Sequence, residues 1–215
     1  MNTQEMITRI RVAYTKEASL RFTGHLDMQR LWERLLRRSG LPVRYSQGYH
    51  PRARLNLASA LPLGFISQAE RLDFWMDEPR PVDDIKQKLV DAAPPGLTIK
   101  DVRQVPLSED ALQAQMAARE FEVEFFDNQN REQLLGKVDA LLAEDDIHRK
   151  RRVKVYDLRP LILDLKVIHR DDQPALCMRL KAQQGSTGRP DEVLDQMGFT
   201  NTEYLVCRTK LLFSG

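Results

Sequence analysis

Cysteine is scarce in this sequence, and its scarcity excludes several kinds of chemistry. Only Cys177 and Cys207 occur among the 215 residues. Each falls at an alternating position of a predicted strand, which is typical of a small buried thiol. An iron–sulfur cluster needs several closely spaced thiolates, and a structural zinc site needs four clustered ligands. We therefore expect no metal site and no bound cofactor.

Long hydrophobic runs and familiar catalytic motifs are missing as well. The apolar runs are only a few residues long, and the N-terminal residues lack the apolar core of a secretory signal. The sequence therefore predicts no membrane-spanning helix and a cytoplasmic location. It contains no nucleophile elbow, Walker loop, His-Glu-x-x-His motif or dinucleotide-binding fingerprint, so no common enzyme class is indicated.

Positive charge is concentrated in two segments, although the formal net charge is only +2. Residues 9–54 contain eleven Lys or Arg and three acids, and residues 149–159 contain six Lys or Arg and one acid. Charge that is separated in this way creates a local positive field, which attracts polyanions. The two segments therefore favour an anionic partner.

A strong helical pattern covers residues 26–38, and one side of this helix is rich in arginine. Apolar residues recur every three or four positions and predict one buried stripe; they are Met28, Leu31, Trp32, Leu35 and Leu36. Within about 100° of arc on the opposite side lie four arginines, namely Arg30, Arg34, Arg37 and Arg38. Such a face is either simply solvated or binds an anionic partner, and arginine suits bidentate phosphate contact.

The segment 41–65 is hard to explain by folding alone. Its stretch 44–54 alternates cationic and aromatic residues around Gly48 and Pro51, which constrain the backbone. Aromatic faces can stack on unpaired bases while arginine binds phosphate, so this stretch predicts contact with nucleic acid. No helix with base-reading Asn or Gln is evident, and RNA with exposed loops therefore fits better than duplex DNA.

The residues predicted to contact nucleic acid come from the arginine helix, the stretch 44–54 and the basic segment 149–159. They are Arg30, Arg34, Arg37, Arg38, Arg44, Tyr45, Tyr49, His50, Arg52, Arg54, Arg149, Lys150, Arg151, Arg152, Lys154, Tyr156 and Arg159. Tyr45 and Tyr156 could instead be packing residues of strands. His25 and His50 are either a catalytic acid and base or ordinary hydrogen-bonding histidines. The loop 183–190 could hold a phosphate or be a plain turn before a helix.

The order of elements repeats along the chain and indicates an α+β fold of two similar halves. Strands are predicted at 7–14, 70–76, 97–105, 121–126, 150–156, 161–168, 175–181 and 204–213, and helices at 26–38, from Pro81, at 131–143 and at 191–197. A short connecting helix is predicted within 106–120, with Ser108 as its N-cap. Each half follows the split β-α-β order of ferredoxin-like folds with one added hairpin. We therefore predict an internal duplication, with domains at 1–106 and 107–215.

Four short motifs carry a resemblance to a bacterial family. They are Phe22-x-x-His25-Leu26-Asp27, Tyr45-Ser46-Gln47-Gly48-Tyr49-His50-Pro51, Leu61-Pro62-Leu63-Gly64 and Asp157-Leu158-Arg159-Pro160. With them the chain resembles, over nearly its whole length, the radical SAM-associated domain of unknown function. Relatives are fused to or paired with cobalamin-binding radical SAM proteins, so the resemblance implies a stand-alone accessory protein whose iron–sulfur partner is a separate polypeptide. It implies no reaction, because none is established for that family.

Three functions are compatible with these observations. The first is a non-catalytic RNA-binding adaptor that presents tRNA or rRNA to a partner modifying enzyme. The second is a metal-independent ribonuclease that uses His25 or His50. The third is a protein-binding subunit of a radical SAM enzyme that binds no nucleic acid. The two basic segments favour the first function.

Overall fold

The chain divides into two compact units. A computed structural model describes residues 7–151, 153–183 and 185–214. The first unit ends at Gln115 and the second begins at Met116. This division lies C-terminal to the boundary predicted between residues 106 and 107. Both units combine strands with helices, which confirms the predicted mixture of α and β structure.

The first unit is an antiparallel sheet whose strands are connected by helices. In chain order it contains β1 (Thr8–Lys16), α1 (His25–Arg38), β2 (Leu55–Leu57), β3 (Ile66–Met76), α2 (Val82–Ala92), β4 (Leu97–Val105) and α3 (Leu112–Gln115). Across the sheet these strands lie in the order β4, β1, β3, β2, and each of these neighbouring pairs is antiparallel. The strand at 97–105 is therefore confirmed to the residue.

Helix α1 is amphipathic, as its periodicity predicts. Met28, Trp32, Leu35 and Leu36 are buried, and the ring centroid of Trp32 lies 4.8 Å from that of Tyr14 on β1. Each such buried side chain contributes roughly 1.5–3 kcal/mol, so this stripe fixes the helix on the sheet. With the stripe turned inward, the arginine side of the helix faces outward.

The second unit has the same general construction. In chain order it contains β5 (Met116–Phe125), α4 (Arg131–Leu142), β6 (His148–Arg151), β7 (Lys154–Asp157), β8 (Ile162–Arg170), β9 (Gln173–Gln183), β10 (Ser186–Thr187), α5 (Pro190–Gln196) and β11 (Tyr204–Phe213). Its paired strands lie in the order β11, β5, β9, β8, again with antiparallel neighbours. Strand β10 also pairs with β9, and β6 and β7 form a separate hairpin.

The connecting helix predicted within 106–120 is much shorter than expected. Only Leu112–Gln115 is helical, and β5 already begins at Met116. Ala118 pairs with Lys181 on one side and with Leu212 on the other. Pairing with two strands therefore outweighs the helix-like spacing of Leu112 and Met116. Ser108 lies outside the helix and does not cap it.

The prediction of one continuous strand at 150–156 is also wrong. Arg151 pairs with Lys154, so the chain reverses there and forms the hairpin of β6 and β7. The turn contains no Gly, Pro or Asn, the residues that usually mark a hairpin turn. A continuous strand was therefore the simpler prediction.

Two other expectations concern the cysteines and the membrane. Cys177 and Cys207 are both free thiols and both are buried, as predicted. Burial is the largest factor that raises the pKa of Cys177 above its ordinary value. Among the described residues, no helix is long and apolar enough to cross a membrane.

Candidate nucleic-acid interface

The arginine side of α1 is exposed along its length. Arg30 lies 3.6 Å from Asp27 in an ion pair that is open to solvent. Arg38 donates a hydrogen bond to the main-chain oxygen of Ala92 at 2.7 Å. In the part of the chain that the structure describes, Arg34 and Arg37 form no ion pair. Two guanidinium groups on this face are therefore available to an anion.

A groove of about 350 Å³ follows the same face of the first unit. It is lined by Thr23, Asp27, Arg30, Leu31, Arg34, Arg38 and Pro94. A second depression of about 530 Å³ also includes Arg38, together with Lys88 and Asp91. The first groove contains three arginines and one acid, so its electrostatic potential favours an anionic ligand.

The stretch 44–54 forms a loop whose two ends are fixed to β3. The N–H of Arg44 donates to the carbonyl oxygen of Trp75 at 2.7 Å, and the N–H of Trp75 donates to that of Arg54 at 3.2 Å. Ser46 closes the loop further, since its N–H donates to the carbonyl oxygen of Arg52 and its Oγ accepts from the N–H of Arg52. Residues 47–51 are therefore held at the tip of an ordered base.

The tip of this loop displays aromatic rings to solvent. Tyr49 is 94% exposed, and its ring centroid lies 4.9 Å from that of His50 in an edge-to-face arrangement. Gly48, at φ +139°, adopts a backbone conformation that favours glycine. Arg52 is exposed and makes no ion pair with any described residue. Two rings and one guanidinium thus share one tip, a combination suited to single-stranded nucleic acid.

Three other predicted contacts of this loop have partners within the unit. Arg44 pairs with Asp77 at 2.8 Å, and the guanidinium carbon of Arg54 lies 4.4 Å from the ring centroid of Trp75. Tyr45 forms a β-bridge with Ala53 through its main chain, although 38% of the residue is exposed. These contacts hold the loop in place. The side chains available to a ligand are therefore mainly those of the tip.

The two candidate catalytic histidines belong to segments fixed at opposite ends of β1. His25 begins α1, and Lys16 at the end of β1 donates to the carbonyl oxygen of Thr23 at 2.9 Å. The loop that contains His50 is attached at Trp75, which pairs with Arg9 near the start of β1. A strand of this length spans roughly 25–30 Å. This geometry disfavours an acid–base pair made of the two histidines.

In the second unit, some basic residues of 149–159 have partners within the protein, and others are exposed to solvent without an ion pair to a described residue. Arg149 forms an ion pair with Asp195 of α5, and Arg159 donates to the main-chain oxygen of Leu142 at 3.1 Å. Lys150 and Arg151 are exposed, and neither forms an ion pair with a described residue. Arg152 lies outside the described residues, as does the side chain of Lys154.

The side chain of Tyr156 is fixed by a hydrogen bond and is not fully open for stacking. Its hydroxyl donates a hydrogen bond to the carboxylate of Glu192, and its ring is half-buried. Burial and this hydrogen bond raise the pKa of Tyr156 above its ordinary value. The packing interpretation of this tyrosine is therefore the better one for its hydroxyl, while part of the ring stays accessible.

Two arginines that contribute to the positive charge of 9–54 lie inside the first unit. Arg9 and Arg11 are buried, and both donate to the carboxylate of Asp73 at 2.5 to 3.0 Å. Burial acts to lower the pKa of Arg11, but hydrogen bonds to Asp73 and Glu109 outweigh it and raise the pKa above its ordinary value. These two charges are neutralised internally and add little to the surface field.

Lys16 is a third cation whose charge the sequence suggested to lie at the surface. In the structure its side chain is buried. It is 1% exposed, and its Nζ donates to the carbonyl oxygens of Arg21, Thr23 and Phe65 at 2.9 to 3.3 Å. Three carbonyl dipoles can replace the lost hydration of an ammonium group. The basic surface of this unit is consequently smaller than its sequence indicates, and is centred on α1 and the loop tip.

Several residues that shape these surfaces were missed from the sequence. Asp73 and Glu192 look like ordinary strand and helix acids, yet Asp73 forms ion pairs with two arginines and Glu192 accepts the hydrogen bond of Tyr156. Ser186 and Thr187, from the loop noted as a possible phosphate site, lie in a cavity with Arg151. An acid at an alternating strand position between apolar neighbours was the one available signal for Asp73.

Comparison with known proteins gives a fold and a family. No curated protein matches the sequence. Among solved structures, a chain in the crystal structure of a Cbf5–Nop10–Gar1 complex is similar with a TM-score of 0.50 and 8% identity. The match covers 98% of this chain and 51% of that one, so this chain spans about half its length, and at this identity only the fold is shared. A family described as an uncharacterized protein conserved in bacteria (DUF2344) matches residues 9–190, and the chain belongs to that family.

Proposed function

We propose that this protein is a non-catalytic RNA-binding adaptor that presents tRNA or rRNA to a partner modifying enzyme. The observation that carries the proposal is the tip of the 44–54 loop, where Tyr49 and His50 stand in solvent beside Arg52 on a hydrogen-bonded base. Stacking of one base on such a ring contributes roughly 1–3 kcal/mol. The open guanidiniums of Arg34 and Arg37 on α1 add phosphate contacts to the same unit.

Unpaired RNA suits these features better than a duplex. Exposed rings can stack only on bases that are splayed out of a helix, as in loops and single-stranded ends. Arginines on a helix surface contact phosphates without reading sequence, so they add affinity and salt dependence rather than specificity. We therefore expect the preferred ligand to be a structured RNA with accessible loops.

Filter binding of full-length protein to tRNA across a salt series tests the proposal. Replacing both Arg34 and Arg37 by Ala should weaken binding at least tenfold and reduce the slope of log K against log salt by about 1.4, since each phosphate contact contributes about 0.7. Tyr49→Ala should weaken binding about fivefold to a hundredfold with an unchanged slope, because stacking involves no counterion release.

A matched control removes two exposed lysines from other elements of the first unit, Lys86 on α2 and Lys100 on β4. The Lys86→Ala/Lys100→Ala variant changes the net charge equally and should bind RNA nearly as well as the parent protein. No measurable RNA binding, or equal losses in the control and the arginine variant, would contradict the proposal.

For the fold, we infer two ferredoxin-like halves that arose by internal duplication. The support is the strand order: β4, β1, β3, β2 in the first unit and β11, β5, β9, β8 in the second follow the same chain sequence of strand, helix, two strands, helix, strand. The hairpin of β6 and β7 and the short β10 are additions within the second half. Each half should then fold without the other.

The partner enzyme that we propose is a radical SAM protein, as the family resemblance implies. Support for a protein partner comes from large apolar side chains that remain exposed in two family motifs, namely Phe22, Leu26 and Leu63. The two motifs meet at Arg21, whose Nε donates to the carbonyl oxygen of Gly64 at 2.8 Å. Exposed apolar side chains on an ordered surface are typical of docking sites.

Affinity purification from the native host tests this partner. The protein that co-purifies should show the visible absorption of an iron–sulfur cluster. Its recovery should fall at least fivefold when the Phe22→Ala/Leu63→Ala variant is used. Leu107→Ala, which removes another exposed leucine, should leave recovery unchanged. Prey without a cluster, or equal recovery with all variants, would refute this partner; a complex free of RNA would favour a purely protein-binding subunit.

A further inference from the structure

A cavity of about 560 Å³ lies in the second unit between three segments that are distant in sequence. Its walls come from the hairpin of β6 and β7, the 3-10 turn Arg159–Leu161, and the turn between β9 and β10. The lining includes Arg151, Tyr156, Asp157, Pro160, Ser186 and Thr187. Small-molecule sites in proteins occupy roughly 300–1,000 Å³, so this cavity has the size of a ligand site.

The hairpin wall of the cavity is fixed before any ligand arrives. Tyr156 is bonded to Glu192 and Arg149 to Asp195, so both strands of the hairpin are tied to α5. Asp157 Oδ1 accepts the N–H groups of Ile147 at 2.8 Å and Arg159 at 2.9 Å, which joins the hairpin to the 3-10 turn. A pre-formed wall loses little conformational entropy on binding.

The opposite wall is packed directly on the same 3-10 turn. A Cβ atom at Gly188 would lie 3.1 Å from the carbonyl oxygen of Leu161, so a larger residue would crowd this close approach. The N–H of Gly188 donates to the carbonyl oxygen of Lys181 at 2.9 Å, and Thr187 Oγ1 donates to that of Gln183 at 3.3 Å. The turn that carries Ser186 is therefore fixed against the 3-10 turn.

Three kinds of chemistry meet in this cavity. Arg151 offers an exposed guanidinium that forms no ion pair with a described residue. Tyr156 and Pro160 offer flat apolar surface. Asp157 offers carboxylate Oδ2, and the N–H groups of Ile147 and Arg159 lower the pKa of this carboxyl, so it stays ionised as an acceptor. A cation, a flat surface and a carboxylate acceptor correspond to the phosphate, the ring and the hydroxyl or amino groups of a nucleotide.

We propose that this cavity binds a single nucleotide unit, with its phosphate on Arg151, its ring against Tyr156 and Pro160, and a hydroxyl or amino group on Asp157. A free nucleoside 5′-monophosphate and one unpaired nucleotide of an RNA share this chemistry. The site lies wholly in the second unit and goes beyond the RNA surface of the first, so it stands whether or not α1 and the 44–54 loop bind RNA.

Isothermal titration calorimetry of the full-length protein with AMP, GMP, CMP and UMP tests the site. At least one monophosphate should bind, and Arg151→Ala should weaken it about tenfold or more. The matching nucleoside, which lacks the phosphate, should bind equally to both proteins. Lys150→Ala is the control, because this neighbouring lysine is exposed and lies outside the cavity lining. Both variants change exposed hairpin side chains, and circular dichroism should show unaltered folding.

A second arm uses single-stranded RNA pentanucleotides to distinguish the two sources of the nucleotide. Binding of the monophosphates themselves identifies a free nucleotide ligand, whereas binding of the pentanucleotide alone, weakened by Arg151→Ala and not by Lys150→Ala, identifies a nucleotide of RNA. The proposal is overturned if neither probe binds with an affinity that depends on Arg151, or if both variants have the same effect. Arg34→Ala/Arg37→Ala should leave monophosphate binding intact.

Discussion

Asp73 is the residue on which the charge balance of the first unit depends. Its side chain is fully buried on β3 and accepts hydrogen bonds from Arg9 and Arg11 of β1, in the antiparallel register that places Arg11 opposite it. Glu109 contributes a second carboxylate to Arg11. Asp73 therefore pairs with both buried guanidiniums, and without it Arg9 would keep only main-chain acceptors while Arg11 would keep only Glu109, a costly state for buried charges.

Asp73→Ala should lower the free energy of unfolding by about 3–5 kcal/mol, because it leaves two buried arginines without their shared carboxylate. Asp73→Asn keeps one acceptor oxygen and should cost less. Urea unfolding followed by circular dichroism measures both values. Asp101→Ala, an exposed aspartate on β4, serves as the control and should change stability by less than about 0.5 kcal/mol. Equal effects at both positions would refute this role of Asp73.

At the same scale, exposure was the property that sequence reasoning could not assign to charged residues. The arginines of α1 were predicted correctly as surface residues because a helical period separates the two sides of a helix. Arg9, Arg11 and Lys16 were counted as surface charge, and their burial depends on Asp73 and on carbonyl oxygens from other segments. No local pattern contains those partners.

At the scale of elements, local periodicity was a good guide where an element is long and half-buried. Helices at 25–38, 82–92 and 131–142 and the final strand at 204–213 agree with their sequence patterns within a residue or two. The early start of β5 was missed, because Met116–Phe125 is a strand only through its pairing with β9 and β11. Pairing between distant strands is a tertiary effect, which propensity does not contain.

The cavity of the second unit depends on the arrangement of elements in the same way. Arg151, Pro160 and Ser186 are far apart in sequence and meet because the hairpin of β6 and β7, the 3-10 turn and the β9–β10 turn converge. The sequence indicated a basic segment and a glycine-containing loop separately. Their meeting could not be predicted, since the hairpin itself carries no turn signal.

At the scale of the whole molecule, the repeated strand order predicts that the second half is an independent folding unit. A fragment of residues 116–215 should give a dispersed NMR spectrum and a single cooperative thermal transition, because about 100 residues with their own helices and paired strands suffice for a domain. A disordered spectrum would contradict the proposal of two independently folding halves.

A shorter fragment provides the control for that experiment. Starting at residue 121 removes Met116–Glu120, the part of β5 that pairs with both Lys181 of β9 and Lys210 of β11. This fragment should be markedly less stable than the one that starts at 116. Equal stability of the two would mean that residues 116–120 are not needed for the second unit to fold and that the strand start predicted at residue 121 is sufficient.

The cation–π contact between Arg54 and Trp75 has a spectroscopic consequence. The protein contains two tryptophans. Trp32 is fully buried against Tyr14, whereas the ring centroid of Trp75 lies 4.4 Å from the guanidinium carbon of Arg54 and 5.4 Å from that of Arg9. A guanidinium next to an indole ring alters its emission. A ligand that draws Arg54 away should therefore change the fluorescence of Trp75 above a constant contribution from Trp32, and the protein carries its own optical reporter of loop occupancy.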